Sequence, residues 1–228
     1  MLSVKYLLFD YGGTIDTNGV HWEEVFRRAY TDCHSPVPAE LFSKVYVHVE
    51  QKLGRQPLIR PHHTLRELLE IKINLQLETL GLMNTRLQNK IVDTCYDLVS
   101  CRSRRATQIL DLLMRRYPMF LVSNFYGNLR TILCEFGLTR YFQAVIESAE
   151  VGVRKPDMQI FQIALDKAGC RPEEAVIIGD SYKNDIQPAI TLGCPSIWLK
   201  VKGLYESDES LEHPCIINDF FMLKDILL

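Results

Sequence analysis

Four points along the chain place acids, a hydroxyl or a lysine at or soon after short apolar runs: Asp10, Ser123-Asn124, Lys155, and Asp180 with Asp185. Two acids brought together repel each other unless a cation lies between them, and all-oxygen ligation suits Mg²⁺. A hydroxyl and a lysine beside them would surround a tetrahedral oxyanion, because a lysine is a compact charge suited to a phosphoryl oxygen. A carboxylate that the metal does not consume could attack, forming an aspartyl phosphate.

The elements that must position these groups alternate between strands and helices. Apolar runs predict strands over residues 4–9, 119–122, 144–146, 175–178, 196–199 and 215–217. Helical spacing predicts helices over residues 103–117, 128–136, 157–168 and 185–192. This alternation favours an α/β fold with a mostly parallel sheet covered on both faces. The polar residues would then meet at the carboxyl edge of the sheet, where ligands bind in such folds.

A helical block interrupts this pattern after the first strand. Apolar residues recur at helical spacing from Trp22, from Leu41, from Thr64 to Gly81 and after Asn84, with no strand among them. We therefore predict an inserted all-helical domain over residues 18–100 and an α/β core formed by residues 1–17 and 101–228. The aromatic and leucine stripes of the insertion are typical of a bundle core.

Composition excludes several classes of protein. The 228 residues carry a formal net charge of −2, so no strong field recruits nucleic acid or an anionic membrane. Seven scattered cysteines without a C-x-x-C pair predict free, mostly buried thiols rather than a disulfide framework or a zinc site. With no leader or membrane-spanning pattern, we expect a cytoplasmic protein with a small-molecule partner. Oligomeric state stays open.

The polar motifs, in this order, resemble those of the haloacid dehalogenase superfamily: Asp10-x-x-Gly13-Thr14, Ser123-Asn124, Gly152-Val153-Arg154-Lys155-Pro156-Asp157 with Phe161, and Gly179-Asp180-Ser181 with Asn184-Asp185. The insertion is similar to the cap domain of the superfamily's small-molecule phosphatases. The resemblance implies a Rossmann-like three-layer core and a Mg²⁺-dependent hydrolase that acts on a small phosphorylated metabolite.

The same resemblance implies roles for individual residues. Asp10 would be the nucleophile, and Mg²⁺ would be held by Asp10, Asp180 and the carbonyl of Gly12, with Asp185 supporting the metal shell. The transferred phosphate would be contacted by Ser123, Asn124, Lys155 and the turn that contains Tyr11 and Gly12.

The chain departs from the superfamily's phosphatases at Gly12. Those enzymes carry a second Asp there, which protonates the leaving group and then activates water. Loss of a positioned acid or base typically forfeits about 10²–10⁴-fold in rate. Five residues are candidate replacements: Asp16, His21, His62, His63 and Tyr126. The alternative for Asp16 is that it caps or braces the turn.

Three alternatives remain open at this stage. Phosphonoacetaldehyde hydrolases resemble this chain in having a small residue, Ala, at the position of Gly12, and they use a cap lysine as a Schiff base. Four lysines lie in the predicted cap: Lys44, Lys52, Lys72 and Lys90. Haloacid dehalogenases proper place Tyr at the position of Gly12 and attack carbon. The third alternative is a catalytically silent metabolite-binding module.

Overall fold

A parallel β-sheet forms the centre of the protein in the computed structural model, which describes residues 4–200 and 211–228. The strands are β1 (Tyr6–Phe9), β2 (Met119–Ser123), β3 (Ala144–Glu147), β4 (Ala175–Gly179), β5 (Ser196–Leu199) and β6 (Ile216–Ile217). They run in the order β3-β2-β1-β4-β5-β6, and every neighbouring pair is parallel. The predicted α/β fold class with a mostly parallel sheet is confirmed.

Both faces of this sheet are buried, which explains why its strands are continuous apolar runs. In β1, Leu7 and Phe9 belong to the larger apolar cluster, whereas Leu8 belongs to a second cluster on the opposite face. Between the strands lie the helices α5 (Leu129–Glu135), α6 (Ser148–Val151), α7 (Gln159–Ala168) and α8 (Gln187–Leu192), and α9 (Leu223–Leu227) follows β6. The core is thus a sheet between two helical layers.

The segment between β1 and β2 is helical, as predicted. It contains α1 (Trp22–Asp32), α2 (Ala39–Arg55), α3 (Leu65–Leu80) and α4 (Thr85–Leu113). Thr64 begins α3 with a capping box to Glu67, and Gly81 ends it in the left-handed conformation. The side chain of Asn84 caps α4.

Helix α4 differs from the prediction of two helices separated near residue 100. It is one helix of 29 residues, and its buried stripe continues through Val99, Ser103 and Ala106. The residues between the two predicted helices include no Gly or Pro, so nothing in the backbone breaks the helix there. The proposed boundary at residues 100/101 therefore lies inside α4, and the proposed cap and core share this helix.

All seven cysteines are free, but the expectation that most are buried is wrong. Only Cys95 and Cys194 are buried, while Cys101 and Cys134 are exposed. Each helix in the described part of the chain is too short or too polar to cross a membrane.

Candidate active site

The sheet register brings the first and fourth motifs together. Phe9 pairs with Ile178, and the backbone N–H of Asp10 donates to the carbonyl of Ile178 over 2.9 Å. Asp10 and Asp180 therefore leave two adjacent strands at the same edge. The indole N–H of Trp198 donates to the carbonyl of Asp180 over 2.8 Å and fixes that strand end from β5.

A one-turn π-helix, Tyr182–Ile186, adds Asp185 to this edge. Gly179 makes the approach possible, because a Cβ there would lie 2.4 Å from the Asp185 carboxyl carbon. The Ser181 N–H donates to Asp185 Oδ2 over 3.1 Å and orients the carboxylate.

Three acids meet at this edge and form a candidate metal centre. Asp10, Asp180 and Asp185 each offer a carboxylate oxygen, and these oxygens lie within 4.8 Å of one another. Burial, followed by the charges of its two neighbours, raises the pKa of Asp180 well above its usual range. Burial likewise raises the pKa of Asp185, to about 6. Clustered, desolvated carboxylates with raised pKa values are relieved by a hard cation, so the donor set fits Mg²⁺.

Lys155 lies inside the same cluster. Its ammonium contacts Asp10 Oδ1 at 2.5 Å and Asp185 Oδ1 at 2.7 Å, and the side chain is only 3% exposed. Burial alone would lower the pKa of Lys155, but the two carboxylates outweigh burial and raise it. The lysine is therefore held as a cation where an incoming anion would meet it.

Asn124 holds the main chain of Lys155. Its Nδ2 donates to the Lys155 carbonyl over 2.9 Å, and its Oδ1 accepts from the Lys155 N–H over 2.8 Å. The second motif thus positions the third. Since the carboxamide is used in this way, its predicted contact to phosphate stays a prediction.

Two hydroxyls orient the candidate nucleophile. Ser123 Oγ donates to Asp10 Oδ1 over 3.3 Å, and Thr14 Oγ1 donates to Asp10 Oδ2 over 3.1 Å. Thr14 also contacts Asp180 Oδ1 at 3.3 Å. This role of Thr14 was not predicted from the sequence, although its place in the first motif could have indicated it.

The turn after Asp10 is fixed by Asp16. Its Oδ1 accepts from the Gly13 N–H over 2.7 Å, and its Oδ2 accepts from the Trp22 indole over 2.8 Å. Burial raises the pKa of Asp16 to about 7. Because both oxygens accept bonds within the protein, Asp16 braces the turn, which argues against its use as the replacement acid.

The ring of Tyr11 lies in the core against Phe125, so only its backbone can contact a ligand at the site. Within residues 4–200 and 211–228, the N–H groups of Tyr11 and Gly12 donate to no protein acceptor. Such amides at a tight turn are suited to phosphate oxygens.

Gly12 and Gly13 differ sharply in the space around them. A Cβ on Gly12 would have no atom within 4 Å, whereas one on Gly13 would lie 2.4 Å from Asp180 Oδ2. Gly13 also has φ of 100°. Position 13 therefore requires glycine, whereas position 12 has space for a side chain.

Gly12 opens onto a cavity of 680 Å³ between the helical segment and the sheet edge. Its wall includes a cluster formed by Lys72 of α3, Glu50 of α2 and Tyr126 of the loop after β2, which we call the Lys72 cluster. The Lys72 ammonium contacts Glu50 Oε1 at 2.5 Å and donates to the Tyr126 hydroxyl over 3.0 Å. The Tyr126 hydroxyl donates to Glu50 Oε2. Sequence patterns did not distinguish Lys72 from the other lysines of this segment.

The remaining candidates are less well placed. His21 lines the cavity, and burial lowers its pKa, so its ring is neutral at pH 7. His62 and His63 are not among the described residues that line the cavity. Lys44 and Lys90 are exposed at the surface of their helices.

The sequence is similar to curated relatives that are named as phosphatases. The chain is 30% identical over 128 residues to glyceraldehyde 3-phosphate phosphatase of Methanothermobacter thermautotrophicus, covering 52% of this chain and 55% of the relative. It is 29% identical over 146 residues to phosphoserine phosphatase of Thermus thermophilus, covering 56% and 57%. The matches thus span about half the length of these curated relatives.

The whole fold matches solved structures. The crystal structure of a dehalogenase with an intermediate complex superposes with a TM-score of 0.68 at 18% identity, covering 100% of this chain and 98% of the other. The sequence model of the haloacid dehalogenase-like hydrolases matches residues 8–199, which include all four motifs and the helical segment. The chain therefore belongs to the haloacid dehalogenase-like hydrolase family.

Proposed function

We propose that this protein is a Mg²⁺-dependent phosphatase that hydrolyses a small phosphorylated molecule through an aspartyl phosphate on Asp10. The observation that supports this proposal most is the convergence of Asp10 with Asp180, Asp185 and Lys155 at one sheet edge. Curated relatives named as phosphatases support the same class of reaction.

In the first step, an Asp10 carboxylate oxygen attacks phosphorus. The new Oδ–P bond forms, the ester P–O bond breaks, and the departing oxygen takes up a proton from solvent water. Lys155, held at the nucleophile, stabilises charge on the phosphoryl oxygens, and the amides of Tyr11 and Gly12 bind them. Ser123 and Thr14 hold the carboxylate in its attacking orientation.

In the second step, water attacks the phosphorus of the aspartyl phosphate. The P–Oδ bond breaks, inorganic phosphate leaves, and the Asp10 carboxylate is restored. Gly12 supplies no side chain to protonate the leaving group or to activate this water. Substrates whose leaving groups are stable as anions, such as acyl or aryl phosphates, should therefore react faster than alkyl phosphates.

Mg²⁺ would be held by Asp10, Asp180 and the Gly12 carbonyl, with support from Asp185. When bound, it would neutralise charge on the transferred phosphoryl group. Burial and the charges of neighbouring carboxylates raise the pKa values of Asp180 and Asp185, and a bound divalent cation would offset both effects, which supports this assignment.

The test is turnover of a panel of alkyl, aryl and acyl phosphates and phosphonates, with Mg²⁺ and with EDTA, for the native chain and Asp10→Asn. We expect phosphate release that requires both the metal and Asp10. Turnover that persists in EDTA, or the absence of turnover on every substrate, would overturn the proposal.

The two enzyme alternatives are less well supported. Schiff-base chemistry needs a neutral amine, but Glu50 outweighs burial and raises the pKa of Lys72, which holds it as a cation. The cluster of Asp10, Asp180 and Asp185 fits a metal-dependent reaction, which favours a phosphatase over a dehalogenase. Neither alternative is therefore proposed.

A further inference from the structure

A buried cation, Lys72, lies on the wall of the cavity onto which Gly12 opens. Lys72 is 4% exposed, and three aromatic rings surround its ammonium. The nitrogen lies 5.4 Å from the ring centre of Phe26, 5.9 Å from that of Tyr46 and 5.1 Å from that of Tyr126. These rings exclude water, so an interaction with the ammonium is stronger here than at an exposed surface.

Packing alone gives no reason for a charge at this position. Transfer of an ammonium and a carboxylate out of water costs several kcal/mol per ion, and apolar residues in their place are often neutral or stabilising. Lys72 nevertheless lines the cavity onto which Gly12 opens. The charge is therefore explained better by a ligand in the cavity than by the stability of the helical segment.

The Lys72 cluster retains capacity for a ligand. The Tyr126 hydroxyl accepts one of the three N–H donors of the ammonium, and Glu50 Oε1 lies 2.5 Å from the nitrogen as its ion-pair partner. Glu50 Oε2 accepts from the Tyr126 hydroxyl, whereas Glu50 Oε1 is held by Lys72 as an ion pair and accepts no hydrogen bond within the described residues. An ammonium has donors and no acceptor, so Lys72 can bind only a ligand group that accepts a hydrogen bond. A ligand oxygen that accepts a hydrogen bond is thus favoured over a ligand donor.

The charged residues that line the cavity are mostly positive, like Lys72. Among the described residues that line it, the charged side chains are Lys72, Arg55 and Arg154, together with the single carboxylate of Glu50. Arg154 lies close enough to Tyr126 to influence the phenol electrostatically. The described lining of the cavity is therefore net positive.

We propose that the Lys72 cluster determines specificity by binding an anionic oxygen group, a carboxylate or a second phosphate, on the leaving group of the substrate. This inference rests on the proposed phosphatase function and names its substrate class. The phosphoryl group would lie at Asp10 and the second anion at Lys72. Since Tyr126 belongs to the core and Lys72 to the helical segment, the cluster is complete only when these two parts are packed together.

The test uses three series of substrates of increasing chain length: ω-carboxyalkyl phosphates, ω-hydroxyalkyl phosphates and alkanediol bisphosphates. Chain length is varied so that one member spans the two sites. At the best length, a charged hydrogen bond predicts a kcat/KM about 10- to 100-fold higher for an anionic member than for its hydroxyl counterpart. Comparison of the carboxylate series with the bisphosphate series shows whether the anionic group on the leaving group is a carboxylate or a second phosphate.

Lys72→Met should reduce that ratio to within about 3-fold, because the apolar side chain fills the same space without the charge. Lys44→Met is the matched control, since Lys44 is an exposed lysine of the neighbouring helix, and it should leave the ratio unchanged. If Lys72→Met fails to fold because Glu50 is left unpaired, the double variant Lys72→Met/Glu50→Gln removes both charges.

The outcomes separate the two proposals. No turnover in any series, together with no turnover of the aryl and acyl phosphates, would overturn the phosphatase proposal. Turnover without preference for an anionic leaving group in the native chain, or a preference that survives loss of Lys72, would overturn this inference alone. Calorimetric binding of the same compounds to Asp10→Asn gives a second readout without turnover, and the same preference for anionic over hydroxyl compounds is expected there.

Discussion

Gly12 offers the sharpest test of how this site works, through the substitution Gly12→Asp. A Cβ at this position would have no atom within 4 Å, and Gly12 is not among the glycines with positive φ. The new carboxyl would therefore enter the cavity beside the turn amides without displacing the acidic cluster. It would supply the leaving-group acid and the water-activating base that the chain lacks.

The size of the expected gain follows from the role of a positioned acid or base. Such a group contributes about 10²–10⁴-fold, which corresponds to roughly 3–5 kcal/mol of activation free energy. The gain should be largest for alkyl phosphates, whose leaving oxygen needs a proton most. It should be smaller for aryl and acyl phosphates, whose leaving groups depart as stable anions.

The assay is steady-state phosphate release at saturating Mg²⁺ for the native chain, Gly12→Asp and Gly12→Asn. Asn matches Asp in size but transfers no proton, so it should give no gain. An equal gain in both variants would mean that polarity or packing, rather than proton transfer, limits the native chain. No gain in Gly12→Asp, with an unchanged unfolding midpoint, would refute the reasoning that only this one group is absent.

Three further predictions concern the frame of the site. Gly13→Ala should lower the free energy of unfolding by about 1–3 kcal/mol in urea titrations, because its Cβ would lie 2.4 Å from the Asp180 carboxylate at φ of 100°; Gly12→Ala is the control and should change it little. Lys155→Met should abolish turnover and cost about 3–5 kcal/mol, because it removes the cation from a buried ion pair; unchanged stability would contradict the ion-pair geometry. Asp16, whose pKa rises from 3.8 to about 7 on folding, binds its proton more tightly in the folded state. The contribution of Asp16 to the free energy of unfolding should therefore fall by up to about 4 kcal/mol as pH rises from about 4 to 7. Asp16→Asn should flatten that part of the curve of unfolding free energy against pH. An identical slope in both proteins would be inconsistent with the buried carboxyl.

Local patterns were enough to predict the sheet edge. Asp10 and Asp180 each follow an apolar run, and parallel pairing brings such strand ends together, so their proximity could be expected before any coordinates. Gly81 ends α3 and Asn84 caps the start of α4 through interactions within a few residues of each. Both helix ends were therefore predicted correctly from the local sequence.

Features that depend on distant packing were not predictable in this way. The Lys72 cluster joins residues 50, 72 and 126 from three elements, and no local pattern distinguishes Lys72 from exposed Lys44. The continuity of α4 was missed for a related reason. Ser103 is polar at a buried position of that helix, and burial by neighbouring elements outweighs its local preference.

Asp16 shows the same limit at a single residue. Its position shortly after the nucleophile suggested an acid, whereas its indole partner Trp22 was interpreted as bundle core. Only the fold shows that the two are bonded across 2.8 Å and that the carboxylate braces the turn.

The central claim is that Asp10 becomes phosphorylated, and mass spectrometry of the enzyme quenched in acid during turnover tests it most directly. Because Gly12 provides no base to activate water against the intermediate, the phosphoenzyme should accumulate. We predict a phosphoryl group on the peptide that contains Asp10, absent without Mg²⁺ and absent in Asp10→Asn. Turnover of a phosphate ester that leaves this peptide unmodified, and that continues in Asp10→Asn, would contradict the account.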